Sequence, residues 1–173
     1  MRALVVYESM FGNTRAVAEA VAAGLAAHLP VDVRGVSAAV PVVPIDVTLL
    51  VVGGPTHAFG MSRRSTRQSA RDQGARSPVE SGLREWLAAL PPASSSVASA
   101  SFATRVAKPR VPGSAARSAR KALRQSGYRP VLAAEDFWVV GTPGPLRDGE
   151  TDRAREWGAA LGARVALSAP AGG

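Results

Sequence analysis

The stretch RALVVYESMFGNT, residues 2–14, is the part of the chain from which the fold is best inferred. Four apolar residues in succession, residues 3–6, predict a strand that is buried on both faces, as in a parallel sheet. The strand leads directly into a turn that contains Ser9, Gly12 and Thr14. This turn offers hydroxyl groups, free backbone N–H groups and a glycine that lets the backbone approach a ligand closely. Because a helix is predicted to begin here with its positive end, the turn is predicted to bind phosphate.

The composition indicates an ordinary globular chain rather than a fibrous, membrane or disulfide-rich one. Of the 173 residues, 46% are hydrophobic and 20% are charged, and we expect one domain over residues 1–168 followed by a disordered tail at 169–173. The chain has no cysteine, which excludes a disulfide framework and a thiolate metal site, and its two histidines are too few for a histidine-built metal centre. No metal site is predicted. No apolar run approaches the ~20 residues of a membrane span or forms a secretory signal, so a cytoplasmic protein is expected.

The charge balance favours anionic ligands or partners. The formal net charge is +8, from 21 basic and 13 acidic residues. Nineteen of the 21 basic residues are arginine, scattered along an alanine- and glycine-rich chain, which a coding bias explains as well as a binding surface does. Aromatic residues are scarce and no nucleic-acid-binding signature is present, so nucleic acid is not predicted as a partner.

Strand and helix patterns alternate along the chain. Apolar stripes or capping signals predict helices over residues 14–28, after Ser114 and after Gly149, and apolar runs predict strands at residues 2–7, 31–36, 47–52, 97–102, 128–133 and 137–140. Residues 31–36 are predicted to form an edge strand, because apolar and polar residues alternate there. The alternation predicts an α/β fold: a three-layer sandwich around a parallel sheet.

Two further segments have less regular patterns. Residues 62–77 are rich in arginine without apolar periodicity, which predicts a mobile loop or a frayed helical turn. The sequence from Ser77 to Glu80 predicts a capping box that opens the next helix. In the helix after Ser114 the basic residues are interpreted as a solvated face; they are Arg117, Arg120, Lys121 and Arg124.

Several well-known site motifs are absent. The chain has no G-x-x-x-x-G-K-[ST] loop for nucleoside triphosphates and no G-x-G-x-x-G dinucleotide fingerprint after its first strand. An acyl-transfer site is not predicted either, because there is no G-x-S-x-G and His57 has no carboxylate partner nearby in sequence.

The first turn resembles the FMN phosphate loop of the flavodoxin-like family, in which a hydroxyl residue is followed by two variable residues and Gly-Asn-Thr. Here that loop is residues 9–14, Ser-Met-Phe-Gly-Asn-Thr. The resemblance continues at residues 53–57, Gly-Gly-Pro-Thr-His, and at residues 144–150, which resemble the entry to the family's last helix. It implies a five-stranded parallel sheet in the order 2-1-3-4-5, FMN bound without a covalent link, and redox chemistry carried by the flavin.

The resemblance also implies the residues of the cofactor site. Around the phosphate it places Ser9, Met10, Phe11, Gly12, Asn13 and Thr14; along the flavin ring it places Pro55, Thr56, His57, Ala58, Phe59 and Gly60; and after the fourth strand it places Thr104 and Arg105. That last loop departs from electron-transfer flavodoxins, since it lacks their glycine- and acid-rich pattern with a ring-stacking tyrosine. No catalytic side chain is implied.

Three functions stay open on the sequence. The favoured one is a soluble electron-transfer carrier with a redox partner protein. The alternatives are an FMN-dependent NAD(P)H oxidoreductase of the quinone- or nitro-reductase type, with Arg63, Arg64 or Arg105 meeting the extra phosphate, and a non-redox anion-binding relative. Residues 53–71 and 102–112 carry seven basic residues and no acidic one, so positive surroundings that raise the potential of a bound flavin are expected.

Overall fold

The structure, a computed structural model, describes residues 1–76, 78–93, 96–108 and 112–168. A sheet forms the middle layer and helices cover both of its faces. The strands are β1 (Arg2–Tyr7), β2 (Val31–Gly35), β3 (Val47–His57), β4 (Gly60–Met61), β5 (Ala98–Val106), β6 (Arg129–Pro130) and β7 (Glu135–Val139). The helices are α1 (Asn13–Leu25), α2 (Arg64–Asp72), α3 (Leu83–Ala89), α4 (Ala115–Gln125) and α5 (Glu150–Ser168). None of the described helices is long and apolar enough to cross a membrane.

The sheet is parallel along the path β2-β1-β3-β5-β6, and β2 lies at its edge as predicted. The prediction of five strands in the order 2-1-3-4-5 is not reproduced strand for strand. Two short pieces, β6 and β7, both pair with β5, because the chain leaves the ladder after Pro130 and rejoins it at Glu135. In addition, β3 folds back into the antiparallel β4. Within the described residues the sheet therefore has seven strands, and the predicted α/β class with a parallel sheet is confirmed.

Burial on both faces of the sheet explains why the sequences of the central strands are apolar without alternation. Side chains of a strand point alternately to opposite faces, and in β1 both faces are covered. Val5 packs with α1 and α5, whereas Val6 packs with α3 and α4, and both are fully buried.

Helices α1 and α5 pack closely because glycines stand at their contact. A Cβ atom on Gly24 would lie 2.0 Å from the carbonyl oxygen of Arg155, and one on Gly158 would lie 2.2 Å from that of Val21. The predicted apolar stripe of α5 is confirmed, with Ala154 and Leu161 fully buried.

Two strands run further than predicted. Strand β3 continues to His57 instead of ending at residue 52, and β5 continues to Val106 instead of ending at residue 102. Glycine and proline in these stretches indicated loops, but the two strand ends pair with each other, as in Gly53 with Phe102 and Pro55 with Thr104. The mutual pairing therefore overrides the local turn signals.

The segment after β4 also differs from its prediction. Residues 64–72 form a regular helix, α2, which is anchored by the buried residues Arg67 and Ala70. Helix α3 begins at Leu83 with Gly82 at its N-cap, so the predicted start at residues 77–80 is wrong. The side chain of Glu85 accepts a hydrogen bond from the Gly82 N–H at 2.9 Å and caps the helix there. Ser77 and the predicted tail at 169–173 lie outside the described residues.

Helix α4 begins where predicted. The Ser114 hydroxyl accepts hydrogen bonds from the N–H groups of Ala116 and Arg117 at 3.1 and 3.4 Å. Gly127, which has a φ of 84°, closes its C-terminal end.

Candidate functional site

The turn after β1 forms an open cradle of backbone N–H groups. Ser9 Oγ accepts hydrogen bonds from the N–H groups of Gly12 and Arg15 at 3.1 and 3.3 Å, which closes the turn. The N–H groups of Phe11, Asn13 and Thr14 donate to no residue in the described part of the chain. These groups lie at the positive end of α1, so the cradle is suited to an anion.

Gly12 gives the cradle its shape. Its φ is 92°, in the left-handed region that favours glycine, and a Cβ atom there would meet nothing within 4 Å. The space beside this residue is therefore open to a ligand. Gly12 is also the N-cap of α1 and has no side chain to cap the helix, so the Ser9 hydroxyl caps the first turn instead by accepting the Arg15 N–H.

Asn13 holds the cradle to the loop before α5. Its Nδ2 donates to the carbonyl oxygen of Pro143 at 3.1 Å, and a Cβ atom on Gly144 would lie 2.5 Å from Asn13 Oδ1. Gly144 has a φ of 101°, so glycine is required there for conformation as well as for space. The Asn13 side chain therefore connects the two loops, and its backbone N–H makes no hydrogen bond within the described residues.

Thr14 and Thr104 share a hydrogen bond at the base of the cleft. Their Oγ1 atoms are 2.7 Å apart, and both residues are buried. Either hydroxyl is able to act as the donor, and one bond uses only one of the two hydroxyl hydrogens. The second hydrogen remains able to donate to a bound ligand.

The end of β3 forms a tight hairpin with β4, although the sequence predicted that this strand ends at residue 52. Thr56 pairs with Met61 and His57 with Gly60, so the turn consists of Ala58 and Phe59. Both turn residues have positive φ, 40° and 81°, although neither is glycine. Two-residue hairpin turns commonly require positive φ at both positions, so the hairpin geometry accounts for these conformations.

These elements enclose a cleft of about 240 Å³ at the carboxyl edge of the sheet. Nine predicted site residues line it: Met10, Phe11, Asn13, Thr14, Pro55, Thr56, His57, Thr104 and Arg105. Three residues that the sequence did not single out also line it: Val106, Val139 and Thr142. The signal for Thr142 was available, because it follows a strand whose carboxyl end lies at the same edge of the sheet.

The other predicted residues lie around this cleft rather than in it. Ser9 and Gly12 line a second cleft of about 270 Å³ that shares Met10 with the first. Ala58 and Phe59 line a shallow cleft of about 420 Å³ next to Thr56 and Arg105, and Phe59 is 61% exposed. Gly60 packs against α4, where the position of its missing Cβ atom lies 3.3 Å from Ser118 Oγ. Gly60 lines none of these clefts.

The expected positive surroundings are partly neutralised by acids from other parts of the chain, which pair with Arg64, Arg67 and Arg105. Arg105 forms an ion pair with Asp136 at 3.1 Å, and its side chain is only 10% exposed. Arg64 pairs with Glu80 at 3.0 Å, in an exposed position. The prediction of an uncompensated positive field was therefore wrong at these residues, because it counted only neighbours in sequence. Arg110 lies outside the described residues.

His57 lies in the cleft wall as a neutral group. Burial, with a smaller contribution from the charge of Arg67, lowers the pKa of His57 below its ordinary value of 6.5. The imidazole is therefore uncharged at neutral pH and is suited to hydrogen bonding rather than to holding an anion by charge.

Comparison with solved structures identifies the fold. A flavodoxin from the domain Archaea aligns with a TM-score of 0.63 and 20% identity, over 95% of this chain and 99% of the other. Flavodoxin 2 from Bacillus cereus aligns with a TM-score of 0.67 and 13% identity, over 98% of this chain and all of the other. The flavodiiron protein of Giardia intestinalis aligns with a TM-score of 0.60 and 16% identity, and this chain spans 36% of its length. No protein-family model and no curated protein matches the sequence.

The chain therefore has a flavodoxin-like fold. At these identities the likeness extends to the fold alone.

Proposed function

We propose that this protein binds FMN without a covalent link in the 240 Å³ cleft and serves as a soluble electron-transfer carrier of the cytoplasm. The observation that carries the proposal is the cradle at residues 9–14, whose N–H groups at Phe11, Asn13 and Thr14 donate to none of the described residues. The cradle lies at the positive end of α1, on the edge of the sheet where ligands of open α/β folds bind. The residues present fit a phosphate monoester, since the open space beside Gly12 and a free hydroxyl hydrogen at Thr14 or Thr104 adjoin these groups.

In this proposal the phosphate accepts hydrogen bonds from the N–H groups of Phe11, Asn13 and Thr14 and from the hydroxyls of Ser9 and Thr14. The ring system lies along Pro55, Thr56 and His57, with the exposed Phe59 at its border. FMN, when bound, supplies one- and two-electron redox chemistry, and the protein supplies orientation and electrostatics.

Titration with FMN and with riboflavin, which lacks the phosphate, tests the proposal. We expect FMN to bind at micromolar concentration with quenched fluorescence, and riboflavin to bind more weakly. Unchanged FMN fluorescence and absorption over that range would refute the proposal.

The variant Thr14→Ala is expected to weaken FMN binding by about 1–2 kcal/mol, because a charge-assisted hydrogen bond is lost. Riboflavin binding serves as the control and is expected to stay the same. An equal loss for both ligands would mean that Thr14 supports the cleft rather than the phosphate.

An FMN-dependent NAD(P)H oxidoreductase remains the second candidate, because the shallow cleft of about 420 Å³ adjoins the first and is bordered by Lys108. The pairing of Arg64 and Arg105 with acids leaves fewer cations for an extra phosphate and supports the carrier. Stopped-flow mixing with NADPH separates the two candidates. Rapid bleaching of the bound flavin by NADPH alone indicates the enzyme, and reduction only through a separate reductase indicates the carrier.

A further inference from the structure

A group of buried polar side chains lies directly behind the phosphate-binding turn. Glu8, the residue between β1 and Ser9, is 3% exposed, and Ser62 and Arg67 are fully buried. Burying such groups costs free energy unless each one is hydrogen-bonded. The hydrogen bonds of these three side chains therefore show which parts of the chain the group connects.

Glu8 is fixed by both its backbone and its side chain. Its N–H donates to the carbonyl oxygen of Gly53 in β3 at 2.9 Å. Its Oε1 accepts a hydrogen bond from the Ser62 hydroxyl, and its Oε2 accepts one from the N–H of Leu83 at 2.7 Å. The residue before the turn is thus tied to β3, to the segment after β4 and to the start of α3.

Arg67 holds the other end of this group. Its Nη1 donates to Ser62 Oγ at 2.8 Å, and its Nε donates to the carbonyl oxygen of Val79 at 2.7 Å. Its Nη2 donates to Glu85 Oε1 at 3.1 Å. Arg67 therefore connects α2, the segment before α3 and α3 itself through one side chain, and Ser62 joins this set to Glu8.

The space around the group is filled. A Cβ atom on Gly82 would lie 2.5 Å from Arg67 Nη1 and 2.7 Å from Glu8 Oε2. The Glu8 and Arg67 side chains therefore have little room to move toward Gly82. Rigid support of this kind is what a preorganised binding loop requires.

We propose that Glu8, Ser62 and Arg67 are positioning residues that hold the phosphate-binding turn in its ligand-binding shape. Ser9 follows Glu8 directly, and the direction of its hydroxyl decides whether it accepts the N–H groups of Gly12 and Arg15. Fixing residue 8 at three points fixes the start of the turn. Only the FMN measurement below rests on the proposed function.

The first experiment measures amide hydrogen exchange in the ligand-free protein. The variants are Ser62→Ala, which removes the central hydroxyl, and Glu8→Gln, which keeps the shape of the side chain. Exchange of the Gly12 and Arg15 amides is expected to become about fivefold faster, as a loss of about 1 kcal/mol implies. Amides of the last turn of α4 exchange by local fraying at a site remote from the group, rather than by global unfolding, and are expected to stay unchanged in Ser62→Ala.

The matched control is Glu80→Gln. It makes the same chemical change as Glu8→Gln at an acid before α3 whose ion pair with Arg64 is exposed. Its turn amides are expected to exchange as in the wild type. If the turn amides of Ser62→Ala and Glu8→Gln also exchange as in the wild type, or if they change only together with the α4 amides in both variants, the group has a structural role alone and the proposal is overturned.

The second experiment compares FMN with riboflavin in the same variants. Ser62→Ala is expected to weaken FMN binding about fivefold and to leave riboflavin binding within about twofold, because only FMN uses the turn. Equal effects on both ligands, or no effect on either, in a wild-type protein that binds FMN would overturn the positioning role. If the wild-type protein does not bind FMN, the proposed function fails, and the exchange measurement alone decides whether the group positions the turn.

Discussion

Arg67 and the basic residues of α4 each stand in an arginine-rich stretch of the sequence, but their environments in the structure are opposite. Arg67 has no exposed surface, and all three of its side-chain nitrogens donate hydrogen bonds to described groups. In α4, Arg117, Lys121 and Arg124 are exposed, and none of them forms an ion pair within the described ranges. A buried cation that bonds to several chain segments holds those segments together, whereas a row of unpaired cations on one helix face is solvated surface.

This comparison also explains the error in the charge argument. The sequence places Arg67 in a run of cations with Asp72 as its nearest acid, yet its partner in the structure is Glu85, 18 residues further on. Asp136 meets Arg105 across 31 residues in the same way. Net charge is thus informative about the surface of this molecule and uninformative about its buried cations.

The largest expected effect belongs to Arg67→Met. Removing the guanidinium leaves the buried oxygens of Ser62 and Val79 without their donor, and loss of one partner from a buried charged network costs about 3–5 kcal/mol. The free energy of unfolding, from urea denaturation followed by circular dichroism, measures the loss. Arg124→Met in α4 is the matched control and is expected to change it by less than about 0.5 kcal/mol. Similar losses for the two variants would contradict the conclusion that Arg67 stabilises the fold and the exposed cations of α4 do not.

Gly82→Ala tests whether the buried group is as tightly enclosed as the distances indicate. The added Cβ atom would lie 2.5 Å from Arg67 Nη1, and overpacking of this kind costs about 1–3 kcal/mol. The control is Gly141→Ala, where a Cβ atom would meet nothing within 4 Å. Equal unfolding free energies for the two alanine variants would show that the Arg67 and Glu8 side chains move aside freely.

The pH dependence of the unfolding free energy tests whether the carboxyl group of Glu8 has a raised pKa in the folded protein. Burial raises the pKa of Glu8 above its ordinary value of 4.5. The hydrogen bonds from Ser62 and Leu83 and the charge of Arg67 lower this pKa, but their effect is smaller than that of burial. The charge of Glu85 adds to the rise.

Between pH 4.5 and the raised pKa the folded state holds a proton that the unfolded state has released, so the Glu8 contribution to stability falls as the pH rises through this window. We therefore expect the unfolding free energy of the wild type, minus that of Glu8→Gln, to decrease as the pH is raised from 4 to 8. About 1.4 kcal/mol corresponds to each unit of pKa difference. Urea denaturation at a series of pH values measures this difference, and an increase with pH would contradict the assignment.

The smallest expected effect is that of Lys121→Gln. Arg117 and Arg124 lie four and three residues away on the same face, and like charges at these spacings destabilise a helix by about 0.2–0.5 kcal/mol per pair. The variant is expected to be slightly more stable than the wild type at low ionic strength and equal to it at about 1 M salt, where charges are screened within about 3 Å. Thermal denaturation at both salt concentrations checks this. A clear loss of stability at either concentration would indicate a partner for Lys121.

The sequence alone determined the elements that rest on local or periodic patterns. It gave the β1-turn-α1 unit, the edge position of β2, the Ser114 cap of α4 and the apolar stripe of α5. A buried strand, a helix stripe and a cap are each encoded within a few neighbouring residues, so spacing is sufficient to find them.

Only the tertiary structure decided which distant groups meet. Thr14 and Thr104 share a hydrogen bond across 90 residues, and Glu8 and Leu83 share one across 75. The continuation of β3 and β5 past their glycines and prolines, and the helix at residues 64–72, likewise depend on partners from elsewhere in the chain. No spacing rule encodes such pairs, because burial of Glu8 and Arg67 is tolerable only once the folded chain brings their partners within hydrogen-bonding distance.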